Sequence, residues 1–141
     1  MFEITDEFLQ RVGYDTASMV RLEKDRLKWE FSNDFSERMS ERLVDELTEE
    51  QSEEFLDIQN NQERTRRWLD EFHADYRERK EFKQLASVAD NEDEVATFYA
   101  TALWMRDAVP KYGELIQQEL EDYAVELAEL RKTAYDSLDA A

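Results

Sequence analysis

His73, in "DEFH", is the only histidine, and Asp70 stands three positions before it. A carboxylate and an imidazole at that spacing share a helix face. Di-iron helical bundles use it, but they need two such pairs and further glutamates. One histidine cannot complete such a site, so His73 is given no metal or catalytic role. There is no cysteine, which removes thiolate ligands and disulfides. No glycine-rich phosphate loop, nucleophile elbow or second imidazole for a proton relay is present. Residues 90–94 lack the alternating acids, central glycine and twelfth-position glutamate of a calcium loop. The expectation is a protein that is not an enzyme and holds no cofactor or metal.

The remaining chemistry is that of carboxylates. The chain has 36 acids and 18 bases, a net charge of −18. The excess is even: 19 acids against 10 bases in residues 1–70, and 17 against 8 in residues 71–141. It therefore belongs to the body of the protein, and it opposes direct binding to nucleic acid or to an anionic membrane. Residues 41–63 hold nine acids and one base, and residues 114–129 hold six acids and no base. Pairs such as Glu46–Glu50, Glu49–Glu53 and Glu50–Glu54 repel at one helical turn, each costing a few tenths of a kcal/mol. Glu46, Glu49, Glu50, Glu53, Glu54 and Asp57 fall on one face and its flank, opposite Phe55. These six are the candidate partner-binding residues.

Three uses of this charge compete. One is solubility alone, with a salt-adapted host as a variant, since Arg outnumbers Lys 12 to 6. A second is a face for a basic protein partner, making the chain a non-catalytic interaction module. The third is a nucleic-acid mimic of the phage or mobile-element type, whose carboxylate rows occupy the basic groove of a DNA- or RNA-binding protein. The basic stretch "RTRRW" (residues 64–68) is expected to pair with the acidic helix before it.

Two glycines and one proline are too few for the frequent turns of a β protein. The expectation is an all-α compact bundle of about six or seven helices in one domain, residues 1–141. Thr5 caps a first helix that Gly13 stops. Asp15 or Thr16 opens a long second helix to about Leu47, with Met19, Val20 and Trp29 widening its apolar surface. Leu27, Phe31, Phe35, Met39, Leu43 and Leu47 step by four, so the stripe drifts about 40° per step. That helix must meet several partners or bend near residues 32–34. The capping box "TEEQ" (48–51) starts a short helix with Phe55, Leu56 and Ile58 inward, ended by Asn60 and Asn61. Helices at about 62–73 (Trp68, Leu69, Phe72) and 75–89 (Tyr76, Phe82, Leu85, Val88) follow. Asp90 or Asn91 opens a sixth, burying Val95, Phe98, Tyr99, Ala102, Leu103 and Met105, and Pro110 ends it. A long last helix, about 111–138, carries a heptad seam at Ile116, Leu120, Tyr123, Leu127, Leu130 and Ala134. The seam suits packing within the bundle or a homodimer.

"WLDEFHADY" (68–76) and "WMRDAVPKY" (104–112) repeat a Trp and a Tyr eight positions apart, each across a junction between helices. Two large rings astride a corner can clamp its angle, each burying roughly 150–250 Å². Trp68, Tyr76, Trp104 and Tyr112 are therefore expected to be structural corners.

Several stretches taken together resemble a bacterial family known as domain of unknown function 5663. Arg38, Met39, Arg42 and Leu43 match its long-helix motif, and Leu47, Thr48, Glu50, Gln51, Glu54 and Phe55 match its turn. Trp68, Leu69 and Tyr76 match its corner, without the family's proline in this copy; "VPKY" has it in the second. The resemblance covers about residues 4–83, with an echo at 104–125. It implies a small, acidic, helical fold; the family carries no known activity, so the resemblance implies no mechanism. The N-terminus lacks a basic flank followed by an apolar run, and no apolar stretch is long enough to span a bilayer. The expected location is cytoplasmic.

Overall fold

A computed structural model describes residues 3–140, with side chains to Leu138; Met1, Phe2 and Ala141, at the ends of the expected domain, lie outside it. The described residues form seven α-helices and no strand. Helix α1, Asp6–Val12, is set by local chemistry. The Thr5 hydroxyl accepts from the Phe8 N–H at 3.2 Å, and Gly13, at φ +117°, turns the chain out of the helix.

The long second helix, α2 (Arg21–Val44), starts later and ends earlier than the sequence suggests. Asp15 and Thr16 do not cap it. Ser18 donates to Asp15 at 2.6 Å and Gln10 to Thr16 at 2.8 Å, and residues Thr16–Ser18 form a separate 3-10 turn. Short polar side chains that bond locally compete with helix in this way. Val20 enters α2 in extended backbone and is 66% exposed, so it does not widen the core. The drifting stripe is resolved by two partners, without a break at residues 32–34. Phe31 and Phe35 meet Tyr123, while Trp29 stands edge-on to Phe98. Ser32, Ser36 and Ser40 add a second buried line, four residues apart.

Helix α3 (Glu49–Asn60) has the expected capping box, with both Thr48–Gln51 hydrogen bonds in place. Its buried side is Phe55 and Ile58. Leu56 lies about 100° round from Phe55 and is 45% exposed, contrary to expectation. Helix α4 (Gln62–Phe72) buries Trp68 and Leu69 but leaves Phe72, its ring tilted against Trp68 at 5.5 Å, 59% exposed.

The expected helix over 75–89 is two pieces: a 3-10 turn, Tyr76–Glu78, and α5, Lys80–Ala86. Extended backbone at Arg79 separates them. Tyr76 and Phe82 are six residues apart, which places them about 120° apart on one helix. The break lets both turn inward, their rings edge-to-face at 5.1 Å.

Helix α6 (Glu92–Ala108) is capped by Asn91 and buries nearly every residue from Val95 to Met105. It touches α2, α3, α4, α5 and α7. Helix α7 (Tyr112–Ala140) packs on α1, α2 and α6. Its seam divides: Ile116 and Tyr123 are buried, Leu120 and Leu127 pack against the core, and Leu130 and Ala134 are exposed.

Gly13 answers for more than its turn. A Cβ there would lie 3.2 Å from Cδ and Nε of Arg131, whose guanidinium stacks 3.9 Å from the centre of the Tyr14 ring. Gly13→Ala is expected to lower stability by about 1–2 kcal/mol, the cost of left-handed backbone for a side chain. Gly113→Ala, with nothing within 4 Å, is expected to raise it by up to about 1 kcal/mol. Denaturant midpoints of the two variants check this; equal effects would refute it.

Candidate functional site

The six candidate carboxylates are all exposed, but they are not equivalent. Glu54 accepts a hydrogen bond from the indole N–H of Trp104 at 3.1 Å. Asp57 pairs with Arg64 at 3.1 Å, which seats the first arginine of "RTRR" on the acidic helix as expected. Glu46 pairs with Arg42 at 3.6 Å. Glu49, Glu50 and Glu53 have no ion pair among the described residues. They occupy the first turns of α3. Glu49, Glu53 and the exposed Leu56 step by four and three, so an acidic stripe ends on an apolar side chain.

Half of the second acidic cluster is paired within the fold. Arg38 pairs with Glu119 at 3.0 Å and with both oxygens of Glu126, and its guanidinium lies over the Tyr123 ring. Arg42 reaches Glu119 at 3.5 Å, and Arg11 forks onto Glu121. These arginines come from α1 and α2, so the repulsion along α7 is offset from across the bundle. The Arg38 guanidinium beside Glu126 holds that carboxyl below its ordinary value of 4.5.

The corner residues Trp68, Tyr76, Trp104 and Tyr112 are all buried. The two corners are also joined. His73 ends α4 in the first, with Nε2 3.3 Å from Asp107 at the end of α6 and Nδ1 3.3 Å from an Arg79 nitrogen. Arg79 can only donate, so Nδ1 accepts and Nε2–H donates to Asp107. Arg79 also bonds Asp75 at 2.9 Å and the Tyr99 hydroxyl at 3.4 Å. His73 thus serves as a structural tie. No group of three or more metal-capable side chains gathers among the described residues. The Tyr76 hydroxyl is buried without a partner.

A cleft of about 610 Å³, unforeseen from the sequence, opens between α2, α5 and α6. Each helix gives one stripe to it: Asp25, Lys28 and Ser32 from α2; Glu81, Gln84 and Leu85 from α5, with Val88 from the turn after it; Tyr99, Leu103 and Arg106 from α6. Each set falls at helical i, i+3 or i+4, i+7 spacing, a signal present in the sequence but without meaning until the three helices are placed.

If the rings clamp the corners, Trp68→Ala is expected to cost about 3–5 kcal/mol. Tyr76→Phe, which removes only a hydroxyl with no partner, should be neutral or slightly stabilising. Chemical denaturation distinguishes the two, and a harmless Trp68→Ala would dismiss the clamp. For Glu126, a folded pKa below the unfolded one means that stabilisation is complete above the ordinary glutamate range and is lost as pH falls through the lowered value. Glu126→Gln should therefore lower the melting temperature at pH 7, with the difference shrinking as pH falls below the ordinary glutamate range. A difference that does not change with pH would contradict the pairing.

No family model, curated protein or solved structure matches this chain.

Proposed function

We propose that this chain is a non-catalytic interaction module that engages a protein with a basic surface through the first turns of α3. One observation carries the reading. Glu49, Glu50 and Glu53 stand together with no ion pair among the described residues, although their mutual repulsion costs the helix stability, whereas three of the six acids in residues 114–129 are matched by arginines. Leu56 beside them supplies the apolar contact that a charged rim alone lacks. A nucleic-acid mimic needs rows of unpaired carboxylates, and pairing within the α7 row favours the local acidic face instead. A cytoplasmic setting, bacterial or phage, suits both uses. Among the described residues no helix is long and apolar enough to cross a membrane. Kinship with family 5663 is part of this proposal. Met39, Leu43, Phe55, Trp68 and Leu69, on which it rests, are core residues, and Thr48 and Gln51 form a cap. What such relatives would share is therefore a fold. A homodimer through the exposed end of the α7 seam is a further proposed association.

The test compares the wild-type chain with Glu50→Gln/Glu53→Gln as immobilised bait in lysate, then measures kinetics on the partner retained. The variant should fold with equal or slightly higher stability and bind more weakly, chiefly through slower association, with a flatter salt dependence. Unchanged affinity at low ionic strength would reject the α3 face. If the partner is a nucleic-acid enzyme displaced by its own DNA or RNA, mimicry replaces the simpler reading.

A further inference from the structure

The charge balance of the cleft differs from that of the chain. Over the whole protein acids outnumber bases 36 to 18, yet the cleft is lined by four bases and three acids. Its floor is apolar and buried, made by Ile4, Val88, Phe98 and Leu103. One polar side chain interrupts that floor. Ser32 is 6% exposed, and its hydroxyl makes no hydrogen bond among the described residues. The hydroxyl is open to the cleft rather than sealed off, so a ligand seated there can bond it.

Cations stand at the mouth. Lys80 has no ion pair among the described residues. Arg79 has five N–H donors, of which His73, Asp75 and Tyr99 take three and leave two. Arg106 meets only its chain neighbour Asp107, at 3.3 Å. The acids that answer Arg79 and Arg106 are not among the residues lining the cleft. Asp25 and Glu81, which do line it, would repel a ligand of high negative charge such as a nucleotide.

We infer that the cleft between α2, α5 and α6 binds a small monocarboxylate with an apolar body. The body lies on Ile4, Val88, Phe98 and Leu103, and the carboxylate faces Arg79, Lys80 and Arg106. The volume falls within the range of about 300–1,000 Å³ usual for small-molecule sites.

Octanoate is a suitable probe, with octanol as its neutral and octylammonium as its cationic counterpart. Titrated into the isotope-labelled full chain, octanoate should shift the amide resonances of Lys80, Gln84, Leu85 and Leu103 and bind roughly tenfold tighter than octylammonium, the equivalent of about 1.4 kcal/mol. Lys80→Gln/Arg106→Gln changes only exposed side chains, so the fold should persist. It should weaken octanoate several-fold and leave octanol unchanged. The inference is overturned if octanoate moves no cleft amide by about 10 mM, beyond the millimolar range of weak specific complexes. Octylammonium binding equally well, or a double variant indifferent to the carboxylate, would overturn it too. The α3 reading involves other helices and stands or falls separately.

Discussion

Everything in this fold is arranged around a helix that cannot face water. Helix α6 is apolar on all sides across its middle, and a helix of that kind must be surrounded. Five helices meet that demand. Trp29 and Phe98 bring α2 onto it, Phe55 and Trp104 bring α3, and Phe82 and Tyr99 bring α5. The corners follow from the same requirement. Chain leaving α4 or α6 has to turn back onto the hub, and a buried ring on each side holds the turn.

Charge is the second organising constraint. A net charge of −18 on a chain of this size opposes compaction. Arginines answer part of each acidic cluster. Arg11, Arg38 and Arg42 converge on α7 from the first two helices, and Arg64 and Arg66 tie α4 to Asp57 and Asp93. Exposed pairs of this kind are individually weak; their effect is to cancel local repulsion. In the first turns of α3, Glu49, Glu50 and Glu53 stand together without an ion pair among the described residues.

Local chemistry was readable in the sequence, and long-range geometry was not. The Thr5 cap, the Gly13 stop, the Thr48–Gln51 box and the burial of α6 depend on residues within a few positions of one another, and each appears where expected. The start of α2 at Arg21 and the break at Arg79 depend on competing side-chain bonds and on two rings that must point the same way. Leu56 and Phe72 are apolar, but their exposure depends on which face their neighbours bury. Of the candidate site, the acidic face was legible as a pattern. The hydrogen bond from Trp104 to Glu54, 50 residues away, and the pairing of Glu126 with Arg38, 88 residues away, required the fold. The cleft needs three helices at once, and no single stretch announces it.

The hydrogen bond from Trp104 to Glu54 has an optical consequence. The indole is buried against Phe55, yet its N–H ends on a carboxylate one residue from Glu53. Emission from an indole depends on the field along its ring, so a cation arriving beside Glu54 alters the light that Trp104 emits. With Trp29 and Trp68 each replaced by Phe, the chain would carry its own fluorescent gauge of events at α3, read without a label.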